Sequence, residues 1–216
     1  MEFKEKTLEE FIKSNDVENN VLVKCKENDD VIVIPDGITA IGNKAFTKNF
    51  KVKAIFVPSS VKKIYPGYRE ESVYECEPDD YIGAFSNCLS LVKIRLPKNI
   101  TEISDSTFAN CSNLTDIEIP SKVTNIGKMA FYGCTNLENV ILPDGLLQMQ
   151  MYSFYNCSYI KNLIVPKSVN FIGKYAFSGM TEEQTVYLQC SEKDAENFHP
   201  AWRSGAECKF VFNFKK

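Results

Sequence analysis

Apolar residues in this chain follow two superimposed periods. Over short stretches they alternate with polar residues, as in Ile117-Glu118-Ile119, which predicts a β-strand with one buried face. Over longer distances the same pattern returns every 23 residues, with one interruption. Three residue types mark the longer period: Phe46, Phe85, Phe108, Phe131, Phe154 and Phe177; Pro35, Pro58, Pro97, Pro120, Pro143 and Pro166; and Cys88, Cys111, Cys134 and Cys157.

Residues 114–134 show the repeat unit most clearly. Its first strand pattern ends at Pro120, because proline cannot donate a ladder hydrogen bond. A second short extended piece ends at Ile126, and Gly127 then predicts a turn with positive φ. Phe131 is expected to enter the centre of the coil, so that stacked phenylalanines form an aromatic spine. A period of this length predicts a solenoid, in which each repeat buries its apolar face against its neighbours.

The repeat can be written LxxIxIPxxVxxIGxxAFxxC, and it covers about residues 31–190. In these positions the chain resembles the BspA-like branch of the leucine-rich repeats. The resemblance implies an α/β-type leucine-rich repeat solenoid: a curved, right-handed coil with a concave parallel β-sheet, mostly β and irregular structure, and short helical caps. It also implies a binding function, because characterised members are often adhesins or surface proteins of bacteria and of parasitic protists.

The continuous repeat predicts one leucine-rich repeat domain over residues 1–216, and a hydrophobic content of 44% is enough for its core. An open coil would expose apolar side chains and strand edges, so we expect an N-terminal cap over residues 1–30 and a C-terminal cap over residues 191–216.

The N-terminal cap contains Thr7 and Glu10 at the spacing of a capping box, which predicts a short helix. Two apolar runs at residues 21–23 and 31–34 flank a polar turn at residues 27–30. This pattern predicts a hairpin that leads into the first coil.

In the C-terminal region, residues 186–188 predict a further strand, residues 191–199 a capped helix and residues 209–214 a closing strand. Relatives end in the same order of elements with a tryptophan near the middle, which favours Trp202 as a cap residue.

Charge and hydropathy exclude some classes of protein. The net charge of −3 and the lack of a basic run argue against nucleic-acid binding. No stretch approaches the ~18 apolar residues that span a membrane. The first six residues carry charges of both signs, so no secretory signal peptide is visible. We therefore expect a cytoplasmic protein if Met1 is the natural start, and a cell-surface protein if a leader was removed.

Cysteine and histidine give little sign of catalysis. The four ladder cysteines are expected to be reduced, buried, weak donors to local backbone, because stacked coils lie roughly 4.8 Å apart and a disulfide needs about 2.05 Å. His199 is the single histidine, and Cys190 and Cys208 could be paired with it as nucleophiles. No third group orients such a pair and no zinc-ligand spacing occurs. We expect no enzyme activity, no metal and no cofactor.

Every second side chain of a solenoid strand reaches the concave face. The residues two before each proline form one column: Val33, Phe56, Arg95, Glu118, Ile141, Ile164 and, by alignment, Tyr187. The residues four before form another: Val31, Ala54, Lys93, Asp116, Asn139, Asn162 and Thr185.

The two columns have a charged centre and apolar flanks. Opposite charges on neighbouring strands stabilise a sheet by about 0.2–1 kcal/mol per pair, which is one explanation of the centre. The apolar flanks indicate either an interface, with another protein or a second copy, or coverage by a neighbouring loop or cap. The candidate partner-binding residues are Phe56, Lys93, Arg95, Asp116, Glu118, Ile141, Ile164 and Tyr187.

An insertion interrupts the repeat at residues 65–81, where successive prolines are 39 rather than 23 residues apart. It carries six acids and one arginine. Insertions in repeat proteins form loops, often on the binding face, and tyrosine gives a large contact area at low entropic cost. Tyr68, Tyr74 and Tyr81 are therefore candidate partner-binding residues. A tolerated surface loop and a weak calcium site are the alternatives.

These patterns predict a non-enzymatic protein-binding scaffold that uses the concave face and the acidic, Tyr-rich insertion. The alternative is a cell-surface adhesin that binds host or matrix proteins. The expected partner is a protein of unknown identity, and self-association is a further alternative.

Overall fold

Each repeat forms one coil of a solenoid in the computed structural model, which describes residues 6–69 and 81–215. The strands in chain order are β1 (Asp16–Glu18), β2 (Val21–Lys24), β3 (Val31–Val33), β4 (Ala40–Ile41), β5 (Ala54–Phe56), β6 (Lys63–Ile64), β7 (Tyr68–Arg69), β8 (Tyr81–Ile82), β9 (Lys93–Arg95), β10 (Glu102–Ile103), β11 (Asp116–Glu118), β12 (Asn125–Ile126), β13 (Asn139–Ile141), β14 (Gln148–Met149), β15 (Asn162–Val165), β16 (Phe171–Ile172), β17 (Thr185–Leu188) and β18 (Lys209–Val211). The helices are α1 (Leu8–Ser14) and a 3-10 helix (Asp194–Asn197).

Each coil contributes a longer strand to a main sheet and a shorter one to a second sheet. The main sheet has two hydrogen-bonded parts, ordered β13-β11-β9-β5-β3 and β15-β17-β18, and its strands are parallel. The second sheet has a part ordered β10-β12-β14-β16 and a part ordered β1-β2-β4-β6, in which only β1 is antiparallel. Strands pair in the register of the repeat, as in Asp116 opposite Asn139. The predicted solenoid with a parallel sheet is confirmed.

The ladder phenylalanines form the predicted spine. The ring centroids of Phe46 and Phe85 lie 5.1 Å apart, and the next three steps along the ladder are 5.4, 5.4 and 5.1 Å with nearly parallel rings. All six rings are at most 1% exposed. The stack of rings is therefore continuous from Phe46 to Phe154, and Phe177 is buried in the coil that follows.

Gly127 is required for a different reason from the one that its place in the repeat predicts. Its backbone does not lie in the left-handed region; the left-handed positions of this coil are Met129 and Gly133, with φ of 55° and 69°. A Cβ on Gly127 would lie 2.6 Å from the backbone nitrogen of Asp105 in the preceding coil. The prediction of a positive φ is wrong, and the glycine instead permits close approach of two coils.

The four ladder cysteines are reduced and buried, as predicted. Each thiol donates to the carbonyl oxygen of the phenylalanine in the preceding coil, over 3.1 to 3.2 Å, rather than to local backbone. Burial raises the pKa of the Cys88 thiol to about 12 and raises the pKa of Cys111 and Cys134 well above its usual range. These side chains therefore link coils and remain protonated.

The N-terminal region confirms one prediction and corrects another. Helix α1 begins after its N-cap Thr7, which forms the predicted capping box with Glu10, and it buries Phe11. The expected hairpin between residues 21–23 and 31–34 is wrong, because β2 joins the second sheet and β3 joins the main sheet. The hairpin is formed instead by β1 and β2, through a two-residue turn at residues 19–20 with positive φ at both positions.

At the C-terminal end, β17 and β18 continue the main sheet in parallel. The predicted helix is shorter, a 3-10 helix over Asp194–Asn197, and the hydroxyl of the preceding Ser191 accepts a hydrogen bond from the Asp194 amide at 3.1 Å. The ring of Trp202 is buried, with its centroid 4.9 Å from that of Phe210 and 5.9 Å from that of Phe177. Trp202 therefore closes the aromatic spine.

The insertion leaves and rejoins the coil at two glycines. The Gly67 amide donates to the carbonyl oxygen of Asp105 at 2.9 Å, and Gly83 lies so close to Ser106 that a Cβ would clash with its backbone. Between them, β7 and β8 pair as antiparallel strands. Tyr74 lies outside the described residues, and only the backbone is described at Tyr68 and Tyr81.

Candidate protein-binding surface

Four neighbouring strands, β5, β9, β11 and β13, form the floor of a groove of about 870 Å³. Strand alternation sorts their side chains: Ile94 and Ile117 point into the core, while Arg95 and Glu118 are exposed. Ile141 is 61% exposed. We call the outward side chains of this groove the central patch: Phe56, Lys93, Arg95, Asp116, Glu118 and Ile141.

Asp116 is held mainly by hydrogen bonds rather than by an ion pair. The Thr115 hydroxyl donates to one carboxylate oxygen at 2.7 Å, and the Asn139 side-chain amide donates to the other at 2.6 Å. These bonds lower the pKa of the Asp116 carboxyl, with a smaller contribution from the charge of Lys93, its partner across the strands. Asp116 therefore stays ionised at neutral pH.

Arg95 and Glu118 lie on adjacent strands but do not pair. Neither side chain has a hydrogen bond or an ion pair with any residue in the described ranges. Both are exposed. Cross-strand stabilisation, the simpler explanation of the charged centre, therefore does not account for these two residues.

The C-terminal flank of the column is partly covered. The ring of Tyr187 packs against that of Phe214, with centroids 4.6 Å apart, and Ile164 is half-buried. Coverage by the cap, one of the two alternatives for the apolar flanks, thus applies to Tyr187. The main sheet is also interrupted here, between β13 and β15. The exposed part of the column therefore ends near Ile141.

A second groove, of about 730 Å³, adjoins the central patch at its N-terminal side. Phe56, Arg95 and Lys98 line both grooves, and Leu8 lines the second one. Sequence reasoning missed this extension, because Leu8 belongs to the N-terminal helix and not to the repeat.

The surroundings of the residues considered for catalysis do not activate the thiols, and they engage one ring nitrogen of the histidine. The Nδ1 atom of His199 accepts a hydrogen bond from the Ala201 amide at 3.0 Å. Burial raises the pKa of the Cys190 thiol and raises that of Cys208 to about 11, which disfavours the nucleophilic thiolates. Within residues 6–69 and 81–215, no group of His, Cys, Asp or Glu side chains is arranged to hold a metal ion.

The structure also shows a tyrosine cluster that sequence reasoning missed. The rings of Tyr132 and Tyr155 stack with centroids 4.7 Å apart, and the ring centroids of Tyr152 and Tyr175 are 5.3 Å apart. Their 23-residue separations are the signal that could have revealed the stacking.

The repeats match the family model described as "BspA type Leucine rich repeat region", in six copies over residues 3–73 and 81–197. The chain belongs to this family. The match covers most of the N-terminal cap, the coils and the beginning of the C-terminal cap. The resemblance first seen in the Ile-Pro, Ile-Gly, Ala-Phe and Cys positions is thereby confirmed.

Solved structures of bacterial leucine-rich repeat proteins are similar to this BspA-type chain. A leucine-rich cell surface protein from Faecalibacterium prausnitzii A2-165 is 26% identical, with a TM-score of 0.54 over 82% of this chain and 37% of its own. A leucine-rich repeat protein from Eubacterium ventriosum is also 26% identical, with a TM-score of 0.56 over 68% of this chain and 36% of its own. One from Bacteroides ovatus shares the fold at 21% identity, with a TM-score of 0.57 over 84% of this chain and 46% of its own.

The chain thus spans little more than a third of the length of the first two of these proteins. No curated protein matches it. Among the helices that the structure describes, none has the length and apolar content to cross a membrane.

Proposed function

We propose that this BspA-type protein is a non-enzymatic protein-binding scaffold whose main contact surface is the central patch. The observation that carries the proposal is the exposed side chain of Ile141 beside the unpaired charges of Arg95 and Glu118, all on a hydrogen-bonded sheet. Phe56, which is half-buried, adds a second apolar side chain to the patch, and apolar groups that reach solvent within a rim of polar residues often mark an interface.

The physical basis is preorganisation. The strands that carry the patch are hydrogen-bonded to their neighbours in the sheet, and the phenylalanine spine forms the core of the same coils. A partner would therefore order little backbone on binding. Affinity would then come from a few anchors, with Phe56 and Ile141 as apolar anchors and Arg95 as a charged one. Ile164 and Tyr187 lie at the edge of this surface, where Phe214 packs against Tyr187.

The insertion is proposed as a second contact surface. Tyr68, Tyr74 and Tyr81 belong to a segment whose acids would favour a basic partner. The antiparallel pairing of β7 with β8 supports this role, because it forms a stem at the point where the insertion leaves the coil.

Quantitative affinity capture from the native host tests the main surface. The bait is the wild-type chain, compared with Ile141→Asp and with the control Leu147→Asp, which alters an exposed leucine of the second sheet's side. A partner that is retained by wild type and by Leu147→Asp, and lost with Ile141→Asp, supports the proposal. Equal capture by all three baits contradicts it.

Adhesion at a cell surface is the second candidate function. It is favoured by the similarity to the Faecalibacterium prausnitzii structure, which is that of a cell surface protein. Protease treatment of intact cells of the organism that makes this protein distinguishes an adhesin from an internal scaffold. An adhesin is digested under these conditions, while cytoplasmic marker proteins survive. Protection of the chain until lysis would contradict the adhesin role.

A further inference from the structure

The central patch is self-complementary. On adjacent strands from β5 to β13, the first column reads Phe56, Arg95, Glu118 and Ile141, which is apolar, positive, negative, apolar. Read in the reverse direction, the column is apolar, negative, positive, apolar, so the two charges change places and the ends remain apolar. A surface with this property can face a copy of itself with every charge opposite its counter-charge.

We propose that the occupant of the central patch is a second copy of this chain, related by a two-fold axis. The axis lies in the plane of the interface, runs parallel to the strands and passes between β9 and β11. Such a rotation reverses the order of coils but keeps each residue in its own column. Arg95 then faces Glu118 of the second copy, and Phe56 faces Ile141. An interface of this kind is isologous, so each contact occurs twice.

The second column obeys the same symmetry. Lys93 and Asp116 occupy β9 and β11, so the same rotation places Lys93 opposite Asp116 of the second copy. Asp116 remains ionised, because its hydrogen bonds with Thr115 and Asn139 lower the pKa of its carboxyl. Both columns therefore select the same axis independently.

The other face-to-face arrangement is unfavourable. If the two-fold axis ran along the solenoid, each strand would face the same strand of the second copy, and the two columns would face each other. Arg95 would then meet Lys93 of the second copy, and Glu118 would meet Asp116. Like charges facing each other across an interface suppress that arrangement. The charge pattern thus specifies an orientation as well as a partner.

Intramolecular contacts leave the relevant side chains available. Arg95 and Glu118 have no partner among the described residues, and Ile141 is 61% exposed. The contact is small, because it rests on four strands of three residues each. Strands about 4.8 Å apart and three residues long give a footprint of roughly 200 Å² per chain, well below the about 1,200–2,000 Å² in total that stable interfaces bury, so we expect a weak dimer that forms only at high chain concentration. A weak, charge-dominated dimer is expected to dissociate as salt screens its ion pairs.

A charge-swap mixing experiment tests the inference, which rests on the proposed binding role of the patch. The full chain is examined by sedimentation velocity at high chain concentration and low salt as wild type, Arg95→Glu, Glu118→Arg and an equimolar mixture of the two variants. Each variant alone would place like charges opposite each other twice, so its dimer should weaken by at least about tenfold. In the mixture every pair is again opposite in charge, and a heterodimer should form.

The doubly swapped chain, Arg95→Glu with Glu118→Arg, should also recover the homodimer. Lys62→Glu, at an exposed position of the second sheet's side, is the control and should leave dimerisation unchanged. Circular dichroism verifies that each variant is folded.

Three outcomes would overturn the proposal: a wild-type chain that stays at its monomer mass of 24.5 kDa, single variants that still dimerise, or a mixture that yields no heterodimer. A monomeric wild type would leave intact any Ile141-dependent capture of another protein. The failure of this inference is therefore distinguishable from the failure of the scaffold proposal.

Discussion

The thiol of Cys134 donates a hydrogen bond to the carbonyl oxygen of Phe108 in the preceding coil, across 3.2 Å. The same oxygen accepts a second hydrogen bond, from the backbone amide of Cys111 at 3.0 Å. Each ladder thiol therefore satisfies the second lone pair of a buried carbonyl next to the aromatic spine. The period of 23 residues thus repeats a hydrogen bond between coils as well as a pattern of apolar packing.

Burial of the thiols predicts a loss of stability in alkaline solution. The pKa of Cys88 is raised to about 12 in the folded chain, whereas an unfolded cysteine ionises near pH ~8.5. Above that pH the unfolded state binds fewer protons, so the free energy of unfolding falls as pH rises towards 12, by up to about 1.4 kcal/mol per pH unit for this thiol. At a pH below the pKa of the unfolded cysteine, the thiol is protonated in both states and its ionisation does not lower the free energy of unfolding.

Urea denaturation of wild type and Cys88→Ala across this pH window measures the effect. The free energy of unfolding should decline less steeply with pH in the variant, because the buried thiol is gone. Parallel pH profiles would show that Cys88 does not contribute.

The phenylalanine spine predicts a large difference between buried and exposed rings. Phe131→Ala removes a fully buried ring between two stacked neighbours and should lower the free energy of unfolding by about 3–5 kcal/mol. Phe50→Ala is the matched control, because Phe50 is 58% exposed, and its effect should stay within about 0.5 kcal/mol. Chemical denaturation gives both values. Similar losses for the two variants would contradict the role of the spine.

The sequence predicted the spine and the strand columns because both follow from periodicity alone. A 23-residue repeat places Phe108 over Phe131 whatever the details of the turns, and two-residue alternation decides that Ile117 is buried and Glu118 exposed. The N-terminal hairpin could not be predicted in this way. Apolar runs indicate strands but not the sheet that each one joins, and successive strands of a coil belong to different sheets.

The candidate site was predictable in the same partial sense. The columns predicted which side chains point outward from the same face of the sheet, and the exposed Arg95, Glu118 and Ile141 are among them. The packing of Phe214 against Tyr187 was not predictable, because Phe214 lies outside the repeat and has no equivalent in another coil. Contacts made by non-repeating segments are what the periodic pattern leaves undetermined.

Close approach between coils predicts opposite effects of alanine at two glycines. Gly127→Ala would place a Cβ 2.6 Å from the backbone nitrogen of Asp105, so the free energy of unfolding should fall by about 1–3 kcal/mol. At Gly145 the nearest atom to a Cβ is the Ser121 carbonyl oxygen at 3.8 Å. Gly145→Ala should therefore be neutral or stabilise by up to about 1 kcal/mol. Thermal and urea denaturation compare them, and equal effects would refute the close-approach explanation.

The stem of the insertion predicts that its distal part can be replaced without loss of the fold. Strands β7 and β8 pair Arg69 with Tyr81, so Asn-Gly in place of residues 70–80 would close a two-residue hairpin. We expect a melting temperature within about 2–4 °C of wild type, which for a chain of this size corresponds to about 1 kcal/mol. Deletion of residues 66–82 is the control, because it also removes the hydrogen bond from Gly67 to Asp105, and it should be clearly less stable. If the Asn-Gly variant melts as early as the control, the distal part of the insertion packs against the coils. If it is stable but captures fewer basic proteins than wild type, the insertion is a recognition element.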